Sequence, residues 1–230
     1  FYFGFGADGI IYGLALSYSP HLIIFIKEFR MTKIDFSLLR TRKKFIINNY
    51  VMNLSVGLES VIDKIIIVPV LGFALLGNYS LALQIFSMLM MFSTIIYKYI
   101  LPLDSRGESN KKIKQWTIIF SILVTVLGIT VVPIGIDMFF PKFIEAKDTV
   151  QLMSLAIVPG TISILYSSKF LGKEKSNYIL ITKLGALAIV VIGFLLFGPI
   201  YGIIGLTLVL ISAYVWEAVF LFIMNRISEK

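Results

Sequence analysis

The chain has 230 residues, of which 58% are hydrophobic and 15% are charged, and its mean hydropathy is +0.91. Soluble domains contain roughly 45–50% apolar and about 25% charged residues. A soluble fold of this length buries only about 70–75% of its surface. The surplus apolar surface therefore excludes an ordinary soluble protein and predicts an all-α, polytopic membrane protein.

Several kinds of chemical site are excluded by composition. The chain has no cysteine, which excludes disulfides and thiolate chemistry, and His21 is its single histidine, which excludes a two-histidine metal site. We find no glycine-rich phosphate loop and no Ser-His-Asp set in the sequence. We therefore expect no enzyme activity, no cofactor and no metal.

Seven segments are long and apolar enough to be membrane-spanning helices, which need about 20 residues each. Their apolar residues are continuous rather than alternating, which argues against barrel strands. The expected spans are Gly9 to Ile26, Phe45 to Leu71, Tyr79 to Leu101, Trp116 to Phe140, Val150 to Leu171, Tyr178 to Phe197 and Tyr201 to Met224. In domain terms, we expect a single span over 1–27, a basic linker over 28–44 and a six-helix bundle over 45–230.

The basic residues predict an orientation. Of 21 Lys and Arg residues, 18 fall in alternate loops and the tail, two fall on the opposite side, and Lys64 lies inside the second span. The positive-inside rule makes the rich side cytoplasmic. We therefore expect a multi-pass protein of the cytoplasmic membrane, with its first residue outside and its C-terminus inside. The basic residues then contact lipid head groups, and no nucleic-acid partner is expected.

A chain that begins outside the cell and has an odd number of spans is typical of a longer protein cut after an odd number of earlier spans. The sequence also begins at Phe1 rather than at Met. We therefore expect a fragment whose missing N-terminal half completes the protein.

The second span is unusually polar. At 100° per residue, Asn48, Ser55, Glu59 and Asp63 share one stripe of the helix, and Asn49, Asn53, Ser60 and Lys64 share another about 100° away. Such a face avoids lipid, so it meets either a wet cavity or partner helices. Which of the two stripes faces a cavity is open at this point.

Charged groups at depth are functional candidates, because each costs about 2.5–3.5 kcal/mol on insertion scales. Glu59 and Asp63 are candidates for ion coupling, and Lys64 for a cavity cation; the alternative for all three is a buried ion pair with another helix. Glu217 either lines the cavity or pairs with a lysine, and His21 is a weaker coupling candidate. Lys98 and Lys183 would make the inner mouth of a cavity positive if their helices face it.

The segment from Ile62 to Ala82 reads IDKIIIVPVLGFALLGNYSLA. It resembles a pattern found in lipid-linked oligosaccharide flippases, which share a superfamily with the multidrug and toxic compound extrusion transporters. The matching elements are Asp63-Lys64, an aliphatic run, Leu71-Gly72 and the segment Gly77-Asn78-Tyr79-Ser80. The third span also ends in Leu101-Pro102, as family members often do.

The resemblance implies the sixth span plus the second six-helix bundle of a two-bundle, alternating-access transporter. Its implied substrate is a polyprenyl-pyrophosphate-linked glycan, with protons or sodium ions as candidate coupling ions. Lys64, Lys98 and Lys183 would attract the pyrophosphate, Asn49 and Asn53 would bind sugar, and Ser60 lies on the same face. Glu59 or Asp63 would couple to the ion.

Two other functions remain open. A cation-coupled multidrug exporter of the same superfamily is suggested by the acidic residues Glu59 and Asp63. A non-catalytic membrane scaffold or assembly partner is also compatible, because a polar helix face can serve helix packing alone.

Overall fold

The computed structural model describes residues 6–31, 40–108 and 110–228, with the backbone alone at positions 6–8, 10, 14, 59, 60, 63, 64, 70, 71 and 74. Every regular element among these residues is an α-helix. The helices in chain order are α1 (Gly6–Met31), α2 (Lys43–Ser105), α3 (Lys111–Thr130), α4 (Val132–Phe139), α5 (Ala146–Ser154), α6 (Ile157–Gly172) and α7 (Ser176–Ser228).

The chain divides into two compact units, Phe1–Lys43 and Lys44–Lys230. The first unit contains α1, a 26-residue helix with Pro20 in its interior. Its apolar side chains, such as Leu16 and Ile23, are exposed. A proline inside a helix removes one backbone hydrogen bond. The backbone hydrogen bonds of the neighbouring turns therefore keep α1 helical at Pro20.

Helix α7 is two antiparallel arms. It has 53 residues, and at Gly202 its backbone leaves the helical region with φ 57° and ψ −140°, a conformation that glycine adopts without steric cost. The two arms, 176–201 and 203–228, then pack against each other. A Cβ on Gly193 would lie 2.5 Å from Val209, which shows how closely the arms approach.

Helix α2 is interrupted in the same way. Its 63 residues contain a break at Gly72, where φ is 82° and ψ is 172°. Met52 and Val56 in the arm before the break line the same small cavity as Thr94 and Tyr97 in the arm after it. The two arms of α2 therefore fold back on each other as well.

The helices from α3 to α6 are joined in two pairs that bend without reversing. Val131 separates α3 from α4, and Pro133 lies in the first turn of α4, where the missing N–H of proline costs least. Helices α5 and α6 meet at an angle of 46°. Both bends lie within the segments Trp116 to Phe140 and Val150 to Leu171 that hydropathy assigns to spans.

The core of the second unit joins α2, α5, α6 and α7. Tyr79 stacks edge-on against Phe194 with a ring-centroid distance of 6.1 Å, and both side chains are buried. Ser93 and Thr161 share a buried hydrogen bond of 2.8 Å. Small residues at such contacts let helix backbones approach closely, as in membrane helix packing.

The helix ends gather into two groups. Hydrogen bonds join Asp104, in the last turn of α2, to Lys114 in α3 and Ser168 in α6, and Asn48, near the start of α2, to Ser176 at the start of α7. We call this group the basic end, because Lys111, Lys112, Lys169, Lys173 and Lys175 lie beside these contacts. The opposite end is joined by Asn78 and Glu145, at 3.1 Å.

Three helices in the described part of the chain have the length and hydropathy of a membrane span: Leu75–Ser105, Lys111–Thr130 and Ser176–Ser228. The bent pair α5 and α6 makes a fourth if it is counted as one span. About a third or less of each apolar window is buried inside the protein. An apolar surface left exposed over such lengths is the property of a membrane protein.

Gly128→Ala tests the close contact between α3 and α5. Its Cβ would lie 2.9 Å from the Cβ of Ser154 and closer still to the Ser154 hydroxyl, so we expect a loss of about 1–3 kcal/mol of stability. Thermal unfolding in detergent measures it. Gly135→Ala is the control, because a Cβ there meets nothing within 4 Å. Equal melting temperatures for the two variants would contradict the packing described.

Candidate functional site

A charged network lies inside the second unit. The side chain of Glu217, only 5% exposed, accepts hydrogen bonds from Lys183 Nζ at 2.5 Å and from Ser163 Oγ at 2.7 Å. These three residues belong to the two arms of α7 and to α6. Because Lys183 is 22% exposed, both charges are largely withdrawn from solvent and depend on each other for compensation.

The helix packing around the network explains how the two charges meet. Trp216, next to Glu217, lies against Gly185, where a Cβ would be only 2.5 Å from the indole nitrogen. The same indole donates a hydrogen bond of 3.2 Å to the carbonyl of Thr182. Gly185 thus allows the arms of α7 to approach, and Trp216 fixes their register so that Lys183 reaches Glu217.

A cavity of about 240 Å³ lies beside this network. Ser163 and Lys183 form part of its wall, and its other lining residues are Met52, Val56, Thr94, Tyr97, Ile164, Ser167, Leu171 and Ile179. The cavity therefore lies between both arms of α2, α6 and the first arm of α7. Hydroxyl groups and one lysine face a space otherwise bounded by apolar side chains.

The described residues of the first polar stripe of α2, Asn48 and Ser55, face the interior of the unit. Asn48 and Ser55 are buried, and the Asn48 amide donates to Ser176 Oγ at 3.2 Å and to the Asn177 side-chain oxygen. On the second stripe, Asn49 is half-buried and donates to the carbonyl of Phe45 at 2.8 Å, whereas Asn53 is exposed. The stripe of Asn48 is thus the one that packs against α7.

Four residues singled out in the second span, Glu59, Ser60, Asp63 and Lys64, have side chains outside the described part of the structure. Their proposed roles remain predictions. Lys98 is exposed. His21 belongs to the first unit, where its ring centroid lies 6.1 Å from that of Tyr18. The sequence-predicted residues that the structure brings together are therefore Lys183 and Glu217.

A second polar cluster, which sequence reasoning missed, closes the basic end. Both oxygens of Asp104 accept from Lys114 Nζ at 2.8 Å, and they also accept from Asn110 at 2.9 Å and from Ser168 at 2.6 Å. The Asp104 side chain is 8% exposed. In the sequence Asp104 is one of several loop acids, and neither its spacing nor its neighbours indicate burial.

In the Glu217 network, an ion from outside can replace one member of the Lys183–Glu217 pair. A phosphate group entering the cavity would compete with Glu217 for Lys183, and a cation would compete with Lys183 for Glu217. Ser163 can donate to the carboxylate in either case. The described residues contain no group of three or more His, Cys, Asp or Glu side chains suited to a metal.

Lys183→Met tests whether the ion pair is coupled. The substitution leaves the Glu217 carboxylate buried without its charged partner, and we expect a loss of about 3–5 kcal/mol of stability. The double variant Lys183→Met/Glu217→Gln removes both charges and should regain most of that loss. Thermal unfolding of the singles and the double in detergent gives the coupling energy. Strictly additive effects would show that the two side chains do not stabilise each other.

Comparison with protein-family models, with curated proteins and with solved structures finds no match for this chain.

Proposed function

We infer that the chain is part of a membrane transporter that moves a lipid-linked oligosaccharide or polysaccharide precursor across the cytoplasmic membrane by alternating access. The observation that carries the proposal is the Lys183–Glu217 pair beside an internal cavity. Charged groups at such a depth are costly, and in membrane helices they mark substrate or ion pathways.

The proposal assigns seven spans to the helices. These are α1, the two arms of α2, the segment of α3 and α4, the bent pair α5 and α6, and the two arms of α7. The arms of α7 have 26 residues on each side of Gly202, and such a helix is about 39 Å long, enough to cross the roughly 30 Å hydrocarbon core. The spans after α1 would form the second six-helix bundle of a two-bundle transporter.

In this function, the basic end faces the cytoplasm and attracts the pyrophosphate of the substrate. Asn53 and Lys98 are exposed on the two antiparallel arms of α2, so each is available to a second bundle supplied by the rest of the full-length protein. Lys64 would add a further positive charge to the central cavity between the two bundles. The Lys183–Glu217 pair would open when substrate phosphate binds Lys183 and would re-form on release.

A cation-coupled multidrug exporter is the second candidate. The observation that favours it is Glu217, a buried carboxylate within reach of Ser163, since a carboxylate in a membrane interior is a typical site for a coupling proton or sodium ion. Glu59 and Asp63 are further candidates for the same role. In this alternative the transported molecule is cationic, and Lys183 would have to move away from the carboxylate.

The first experiment is a flipping assay with the full-length protein. Vesicles carry fluorescent lipid-linked oligosaccharide, and a membrane-impermeant quencher reports the fraction in the outer leaflet. We expect Lys183→Gln/Glu217→Gln to slow flipping by about tenfold, a barrier change of about 1.4 kcal/mol. The control is Asp137→Asn/Lys147→Gln, which removes an equally short pair of 2.5 Å that is exposed at the opposite end, and it should keep the native rate.

Three results decide among the functions. Signal loss no faster than in empty vesicles would overturn the flippase proposal. Drug-driven counterflow of protons or sodium ions that disappears in Glu217→Gln would establish the exporter. If the protein transports neither substrate and Lys183→Gln/Glu217→Gln changes only its stability, the remaining function is that of a membrane scaffold.

A further inference from the structure

A second, larger cavity of about 960 Å³ opens at the basic end, between α3, α6 and the second arm of α7. It shares no lining residue with the cavity beside Lys183. Its volume lies at the upper end of the roughly 300–1,000 Å³ of small-molecule sites. We call it the basic groove.

The lining of the basic groove changes from charged to apolar along each helix. Lys173, directly after α6, and Lys169, in its last turn, are followed toward the helix interior by Tyr166, Leu165 and Ile162, all on one face. The eleven residue steps from 173 to 162 cover about 16 Å at 1.5 Å per residue. The groove therefore has a cationic entrance and an apolar floor.

The other two walls repeat this gradient. On α3, Lys111 and Lys114 lie at the basic end, and Ile118 lies farther inside. On the last arm of α7, Asn225 lies at the basic end, and Phe222 and Val219 lie farther inside. Three helices thus place polar groups at one level and apolar groups at the next. The polar level coincides with the basic end, where an interface with lipid head groups is expected.

The charge at the entrance is positive. Four lysines line the groove, at positions 111, 114, 169 and 173, against the two carboxylates of Asp104 and Glu108. The Asp104 carboxylate is already neutralised by Lys114, Asn110 and Ser168, and its side chain is 8% exposed. Glu108 lies 3.7 Å from Arg106. An approaching anion therefore meets the lysines and no uncompensated carboxylate.

We propose that the basic groove binds one anionic phospholipid of the surrounding leaflet, with its phosphate against Lys111 and Lys173 and an acyl chain against Leu165, Val219 and Phe222. Lysine binds phosphate as a point charge, and each lysine near an anionic membrane surface contributes about 1 kcal/mol of attraction. The apolar floor favours a ligand that has an acyl chain over a free phosphate ion. The site shares no lining residue with the cavity beside the Lys183–Glu217 pair on which the proposed function depends.

The test compares two lipids on the full-length protein by native mass spectrometry in detergent. Phosphatidylglycerol and phosphatidylcholine with identical acyl chains are the probes. We expect retention of phosphatidylglycerol, and binding about thirtyfold weaker after Lys111→Gln/Lys173→Gln. The control Lys112→Gln/Lys175→Gln removes two exposed lysines next to them in sequence that do not line the groove, and it should bind as the native protein does.

A second pair of variants tests the apolar floor. Val219→Trp fills the groove without changing its charge, and we expect it to abolish retention of phosphatidylglycerol. Val215→Trp, one turn away, replaces a side chain that is also exposed but does not line the groove, and it should retain the lipid.

Four outcomes would overturn the inference. They are equal retention of the two lipids, equal weakening by both lysine pairs, no effect of Val219→Trp, and displacement of phosphatidylglycerol by inorganic phosphate or by a polyprenyl phosphate. The last two ligands would identify the groove as an ion site or as a carrier-lipid site. Failure of the flipping assay would leave the lipid-binding result unchanged, because lipid retention is measured without transport.

Discussion

The backbone reversals at Gly72 and Gly202 determine which side chains can meet in this protein. The φ angle is 82° at Gly72 and 57° at Gly202, and residues that carry a Cβ rarely adopt such positive values. A straight helix of 53 residues would be about 80 Å long and would hold Lys183 and Glu217 some 50 Å apart along its axis. The reversal at Gly202 places the same two side chains 2.5 Å apart.

Close packing then makes the polar interior possible. Gly185 under Trp216 and Gly193 beside Val209 let the arms of α7 approach, and this proximity withdraws Lys183 and Glu217 from solvent. A buried ion pair is weak support for stability, since replacing both charges is often neutral. The position of this pair beside a cavity is the feature on which the proposed function depends.

The sequence predicts the helices better than it predicts their partners. Apolar runs that end at Leu71 and Phe197 and resume at Tyr79 and Tyr201 locate the arms of α2 and α7, because hydropathy is a local property, whereas the breaks at Gly72 and Gly202 are not singled out by the sequence. Glu217 is identified from its charge inside a span and Lys183 from its position near the inner mouth of the expected cavity, yet their contact spans 34 residues and has no local signal. The cluster around Asp104 is missed for the same reason, since an aspartate in a lysine-rich loop has the sequence appearance of a solvated group.

The hairpin form of α7 also bears on how the chain enters a bilayer. On insertion scales a charge at the centre of a membrane helix costs about 2.5–3.5 kcal/mol, and each arm of α7 carries one charged member of the pair. Because Lys183 and Glu217 are on consecutive arms of one hairpin, their charges can neutralise each other as soon as the second arm leaves the ribosome. Insertion of the two arms as one unit would bring the two charges in as a pair, whereas insertion of one arm at a time would leave each charge without its partner.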